Sequence, residues 1–310
     1  MFSKNLNENI PEFCPICFSE KIFPDRPLSL TSEDQLKAFG KLTIYLCSKC
    51  GFAFSYPRCN HEELNSYYEN HYRPRFYKNF ENGDWPIPDM RSIAQLYLAL
   101  LFCQFNKNEL FLDIGTGVGA SLTSACMMLN YPELAIIEKS KKLIDFLTSR
   151  IQGLNVFSDF NEARKNNKKA KIILLSHSLE HFFGNDIIDL MKNINDLLDD
   201  KGVIIVEVPN CDLREEYFKN RKGYAPHTSF FSIDSIKYMA NNIGMNQSYI
   251  NAFGVERGID IKYYVEEQKK YLNSIGMNNI SIVRLAGYLM NTYFKTINSG
   301  GVLRVVLSKQ

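Results

Sequence analysis

Downstream of Glu109 the chain becomes a series of short apolar runs separated by amphipathic segments of helix length. The runs Leu110–Asp113, Leu134–Ile137, Val156–Phe157, Ile172–Leu175 and Val203–Val208 are continuous rather than alternating, the pattern of strands buried on both faces. Gly202 before the last of them and Pro209-Asn210 after it punctuate a strand rather than a helix. Such runs alternating with helices predict an α/β, doubly wound, mostly parallel sheet covered on both sides. Upstream, Ile93, Leu96, Tyr97, Leu100 and Leu101 recur at helical spacing. Downstream, a helix starting at Ser232-Ile233-Asp234 carries Ile236, Met239 and Ile243 and stops at Gly244. Strands are expected near Gln247–Phe253 and at Val302–Leu307, with a mostly helical insertion at about 255–300 between them.

The first 60 residues read differently. Cys14-Pro15-Ile16-Cys17 and Cys47-Ser48-Lys49-Cys50 form two Cys-x-x-Cys pairs, while the remaining cysteines are scattered singly. From His61 to Tyr77 the chain is polar and rich in tyrosine, and Asn82-Gly83-Asp84-Trp85-Pro86-Ile87-Pro88 reads as a connector. The expected organisation is a cysteine module over 1–60, a connector or lid helix over 61–92 and the α/β domain over 93–310.

Composition narrows what such a fold can serve. The chain has 310 residues, 45% hydrophobic and 23% charged, enough apolar material for a packed core. Its formal net charge of +2 gives no bulk reason to bind a polyanion. No apolar run reaches the roughly 18–20 residues of a membrane helix, and Met1–Asn7 lacks the apolar block of a signal peptide, so a soluble, cytoplasmic protein is expected. In a reducing compartment paired cysteines read as thiols or metal ligands. Two Cys-x-x-Cys pairs about 30 residues apart match a structural zinc ribbon with Cys14, Cys17, Cys47 and Cys50 as ligands.

The densest chemistry lies at Asp113-Ile114-Gly115-Thr116-Gly117-Val118-Gly119, where a strand runs through Gly-x-Gly-x-Gly into a helix. The glycines allow positive φ and close approach of a ligand, and the helix N-terminus offers free N–H groups. The spacing is not the Gly-x-Gly-x-x-Gly of dinucleotide folds, and Asp113 at the loop mouth would repel a pyrophosphate but attract an amino-bearing ligand. Glu138 ends the second strand, where a carboxylate can accept both hydroxyls of a ribose, and Asp159 follows the third, within reach of an adenine amino group.

With these residues the stretch from Ile93 to Asn251 resembles the class I S-adenosylmethionine-dependent methyltransferases, whose first motif is an acid followed by Gly-x-Gly-x-Gly. The resemblance implies a Rossmann-like sheet with Val302–Leu307 as an antiparallel last strand. It also implies that Asp113, Gly115 and Gly117 lie at the amino-acid part of the cofactor, with Glu138 at the ribose and Asp159 at the adenine. The segment Ser176-His177-Ser178-Leu179-Glu180-His181 contains the His-x-x-Glu-His spacing of inverted zinc peptidases, but His177 directly follows a strand and cannot share a helical face with His181. It resembles instead the fourth motif of small-molecule methyltransferases, which places Ser176 and His177 beside the cofactor and leaves His181 either facing the acceptor or capping a helix.

Further on, Pro226-His227-Thr228-Ser229-Phe230-Phe231-Ser232 resembles the His-x-x-x-Phe-Ser stretch of sugar and other small-molecule methyltransferases. Some sugar C-methyltransferases have a Glu before that His; here Pro226 stands there. His227 is the expected general base, the other reading being a histidine that fixes the loop before the helix. The cysteine module with Tyr67 and Tyr68 resembles zinc modules fused to methyltransferases of sugar and natural-product pathways, in which Tyr67, Tyr68 and Tyr72 either wall the acceptor site or pack between domains. The implied reaction is methyl transfer to a small molecule, a sugar or sugar-nucleotide hydroxyl being favoured. The alternatives are an RNA base methyltransferase, for which the only dense basic cluster is Arg164–Lys169, and a non-catalytic protein that binds the cofactor.

Overall fold

A computed structural model describes residues 10–57, 59, 61–71, 88–214, 225–253 and 301–310. The expected insertion at about 255–300, the connector from Asn82 to Ile87, and Tyr72 and Tyr77 lie outside these residues. No helix among the described residues is long and apolar enough to cross a membrane.

The N-terminal region folds as β1 (Ile22–Pro27), α1 (Glu33–Phe39), β2 (Thr43–Cys47), β3 (Ala53–Tyr56) and α2 (His61–Asn70). The α/β region follows as α3 (Met90–Phe102), β4 (Leu110–Ile114), α4 (Ala120–Met128), β5 (Glu133–Ile137) and α5 (Lys141–Thr148). It continues through β6 (Asn155–Phe157), α6 (Phe160–Lys165), β7 (Ala170–Ser176), α7 (Ile187–Leu197) and β8 (Leu198–Pro209). The chain then forms β9 (Ser229–Phe230), α8 (Ile233–Asn242), β10 (Met245–Phe253) and β11 (Val302–Lys309). All seven strands expected in the large sheet are present.

The large sheet has the order β10-β11-β8-β7-β4-β5-β6, and β11 alone runs antiparallel to its neighbours. Side chains alternate across it. Leu110, Leu112 and Ile114 of β4 face the core shared with α7 and α8, whereas Phe111 faces the one shared with α3 and α4. Residues such as Ile173, Ile204 and Val206 have no exposed surface, each contributing about 2 kcal/mol of burial. The chain turns away in opposite directions after β4 and β7, so a crevice opens at the carboxyl ends of these two strands, the usual ligand site in an open α/β sheet.

The smaller sheet has the order β1-β2-β3-β9, so its last strand comes from beyond β8. Ala53 and Phe54 pair antiparallel with Phe230 and Ser229. Phe52 and Phe54 stack and close on Gly184, where a Cβ would lie 2.8 Å from Phe54. Cys50 O accepts from Ser232 Oγ, and Arg214 folds over Gly51 with one N–H on Lys49 O. The N-terminal region is thereby tied to the loop that carries His227.

Candidate active site and cysteine centre

Gly115, Gly117 and Gly119 all have left-handed φ, of 74°, 55° and 80°. A Cβ on Gly115 would come within 2.9 Å of Ser178 Cβ, whereas one on Gly117 would meet nothing within 4 Å. The first glycine is therefore demanded by the packing of two loops, and the second keeps a stretch of backbone bare. Asp113 is buried on the α4 side of the sheet, where it accepts from Ser121 Oγ; burial raises its carboxyl to about 6, opposed by Ser121 and Thr116. These bonds join the glycine loop to the helix that follows it.

Glu138 follows β5 directly, and its Oε1 accepts from the backbone N–H of Lys139 and Ser140, both at 2.9 Å. Partial burial raises its carboxyl above the ordinary value while these donors lower it. Asp159 is the N-cap of α6, accepting from Asn161 N at 2.8 Å and Glu162 N at 2.9 Å through Oδ1. Ser176 ends β7 and accepts from Gln95 Nε2 at 2.8 Å. Gln95 Oε1 and Ser178 Oγ are buried without a hydrogen-bond partner at the same strand ends. Bare glycine backbone, an acid at the neighbouring strand tip and orphaned polar atoms between them fit a polar, hydroxyl- and amino-bearing ligand such as S-adenosylmethionine.

His177 takes φ of 53° and turns inward. Its Nδ1 is hydrogen-bonded to Glu180 Oε1 at 3.2 Å, and its Nε2 lies 3.3 Å from Glu207 Oε1. Burial alone would lower its pKa, but the two carboxylates raise it to about 9, so the ring is cationic at neutral pH. Glu207 is fully buried on β8 opposite Arg304 of β11, whose Nε and Nη2 reach Glu207 Oε2 at 2.6 and 2.5 Å. Burial would raise the Glu207 carboxyl, yet Arg304 and His177 hold it at about 2. Arg91 of α3 adds a contact at 3.3 Å to Oε1. These charges form one network beneath the crevice, buried except at Arg91.

Glu180 and His181 sit on a 3₁₀ turn, Leu179–His181, that follows His177 after Ser178. Thr228 N donates to Glu180 O at 2.9 Å, and Thr228 Oγ1 and Ser229 Oγ both donate to Phe182 O. These bonds bring the segments that the sequence separates into one place. His227 Nε2 lies 3.9 Å from Glu180 Oε1, and the His181 and His227 rings meet edge to face with centroids 4.9 Å apart. Tyr68 of α2 reaches His181 Nδ1 at 3.2 Å, whereas Tyr67 is buried against Phe39 and hydrogen-bonded by Gln35. Of the two expected tyrosine roles, Tyr68 borders the histidines and Tyr67 packs.

The sulfurs of Cys14, Cys17, Cys47 and Cys50 all lie within 4.8 Å of one another, with Cys14–Cys50 at 3.6 Å and Cys17–Cys47 at 3.5 Å. A tetrahedron of zinc–sulfur bonds about 2.3 Å long has edges of about 3.8 Å, so the donor set fits such an ion. Each pair sits on a matching turn, with Phe18 N on Cys14 O and Gly51 N on Cys47 O, both at 2.9 Å and both donors at positive φ. Hydrogen bonding within the cluster lowers the Cys47 thiol and raises Cys14 and Cys50.

The basic cluster Arg164–Lys169 leads into the amino end of β7, opposite the crevice. There Arg164 pairs with Asp196 at 3.4 Å and Lys168 with Glu133 at 2.8 Å. Sequence reasoning missed Gln95, Glu180, Glu207 and Arg304. A lone Glu inside Val203–Val208 and a lone Arg inside Val302–Leu307 were the available signal, since opposite charges in two otherwise apolar strands imply a buried pair.

Comparison with known proteins agrees with this geometry. No curated protein sequence matches the chain. Among solved structures, the chain is similar to the plantazolicin methyltransferase BpumL in complex with a pentazolic desmethylPZN analogue and SAH, with 17% identity and a TM-score of 0.50 over 80% of this chain and 95% of that one. It is similar also to plantazolicin methyltransferase BamL, with 13% identity and a TM-score of 0.50 over 79% and 94% of the two chains. These likenesses concern the fold. Residues 89–247, just over half of the chain, match the model of the methyltransferase domain family, and the chain therefore belongs to that family as a class I S-adenosylmethionine-dependent methyltransferase.

Proposed function

We propose that this protein methylates a small-molecule acceptor, a sugar or sugar-nucleotide hydroxyl, with His227 as general base. S-adenosylmethionine supplies the methyl group on a sulfonium and leaves as the neutral thioether. Asp113, Gly115, Gly117, Glu138, Asp159, Ser176 and His177 hold the cofactor at the strand tips. The acceptor lies against His227 and His181 under Tyr68. The observation that carries the reading is the pair of adjoining imidazoles beside a buried carboxylate next to the cofactor crevice. A neutral imidazole there can take the hydroxyl proton as the new O–C bond forms and the C–S bond breaks. Cys14, Cys17, Cys47 and Cys50 hold a structural zinc ion in the N-terminal module, and 1–60, 61–92 and 93–310 serve as module, lid and catalytic domain.

The test is transfer of labelled methyl from S-adenosylmethionine to a panel of nucleotide sugars. Wild-type transfer is expected for at least one member, with His227→Ala slowing turnover on the order of a hundredfold at unchanged S-adenosylhomocysteine affinity. Unchanged turnover in that variant refutes the assignment of the base. Cofactor binding with no transfer to nucleotide sugars, but transfer to RNA, refutes the acceptor class.

A further inference from the structure

We propose that Glu180 is the carboxylate partner of His227, a positioning residue that completes an acid–base pair assembled from two separate loops. The inference rests on the reading of His227 as base. At the position before His227, where some sugar C-methyltransferases carry a Glu, stands Pro226, which has no charge to offer. The fold brings one from elsewhere. Glu180 is 1% exposed, its Oε1 stands 3.9 Å from His227 Nε2, and its Oε2 is buried without a hydrogen-bond partner. The oxygen nearer His227 also meets His177 Nδ1 at 3.2 Å, so the coupling to His227 at 3.9 Å is electrostatic, between a buried carboxylate and an imidazole.

The two loops hold this juxtaposition through the backbone. Glu180 O accepts from Thr228 N, the residue after His227, and Thr228 and Ser229 are both anchored to Phe182 O. Among the described residues, the groups that face the pair include His177, hydrogen-bonded to the same Glu180 oxygen, and His181, stacked edge to face on His227 and itself hydrogen-bonded to Tyr68. Burial raises the Glu180 carboxyl, but His177, His181 and His227 together lower it below its ordinary value, so it is ionised. An ionised carboxylate on the Nε2 side keeps the proton of neutral His227 on Nε2 and leaves Nδ1 to take the acceptor proton. When Nδ1 gains that proton the imidazolium is neutralised by Glu180, while the acceptor oxygen bonds to the methyl carbon and the sulfur leaves with the C–S electron pair. Glu180 touches neither the acceptor nor the cofactor in this scheme; it sets the tautomer and basicity of the group that does.

Histidine NMR of the zinc-loaded full chain saturated with S-adenosylhomocysteine tests the coupling without an acceptor. The chain has 5 histidines, and His227→Gln assigns the resonance. The expected result is a Nε2-protonated neutral ring for His227, with Glu180→Gln lowering its pKa by about one unit. A shift below about 0.3 unit, or a ring protonated on Nδ1 in the wild type, overturns the proposal. Should Glu180→Gln fail to fold, the wild-type tautomer and the Glu180→Asp variant decide. Glu180, His181 and His227 also offer ligand atoms within 4.8 Å of one another. Broadening of both His181 and His227 by micromolar manganese chloride would assign the three to a cation and overturn the pair. Failure of this coupling leaves methyl transfer untouched, and a protein with the coupling but no methyl transfer refutes the functional reading alone.

Discussion

Replacing Arg304 by Met tests the buried charge network most directly. Arg304 is fully buried, and both of its contacts to Glu207 Oε2 cross between register partners on β11 and β8. Glu207 is held at about 2 against an ordinary 4.5, a depression that corresponds to about 3 kcal/mol of stability at pH 7. The variant keeps the desolvation penalty and loses the first source of compensation, so a cost of about 3 kcal/mol is expected, a fall in Tm of roughly 5–10 °C. Because the folded carboxyl is depressed, its contribution is fully present above the unfolded value and is lost as pH falls from about 4.5 toward about 2. The wild-type advantage over Arg304→Met should therefore shrink to about half at pH 3. Urea unfolding of both proteins at the two pH values measures it, and Arg304→Lys should recover only part of the loss because it lacks the planar fork. A loss below about 1 kcal/mol at pH 7, or the same loss at both pH values, would refute the reasoning.

Three further outcomes are expected. Gly115→Ala should abolish S-adenosylhomocysteine binding and lower the melting temperature, since its Cβ meets Ser178, whereas Gly117→Ala should cost only about 1 kcal/mol in stability yet weaken binding at least tenfold; calorimetry and thermal melting separate them. His177 is raised from 6.5 to about 9, so its stabilising contribution is complete below about pH 6.5 and lost as pH rises through about 9; His177→Gln should remove that decline from the pH–stability curve. Cys47→Ser should release the expected zinc, measured by a metal-binding dye, and because Cys50 O holds Ser232 and β3 holds β9, turnover should fall together with the metal content. Full turnover in a zinc-free protein would show that the loop bearing His227 stands without the module.

Much of the architecture is legible in the chain because the signals are local. Every strand of the large sheet lies on an expected strand, with ends displaced by a few residues, and Ser232 caps α8 through the reciprocal bonds with Ser235. The glycine spacing places the bare backbone at Gly117, and the two Cys-x-x-Cys turns place four sulfurs in one cluster. Asp113 shows what such reading leaves out, since the motif marks the acid but not that it is buried and bonded to Ser121 of the following helix.

What the order of residues determined by itself was therefore the strands of the large sheet, the cap of α8 and the two spaced motifs, each decided by interactions within a few positions. The tertiary structure alone decided that Glu207 meets Arg304 across 97 positions, that Glu180 reaches His227, and that β9 closes a sheet begun two hundred residues earlier. The physical reason is that a charge survives burial only where a partner from a distant strand arrives opposite it. Cross-strand register and the packing of one loop on another set that arrival, and no local pattern records either.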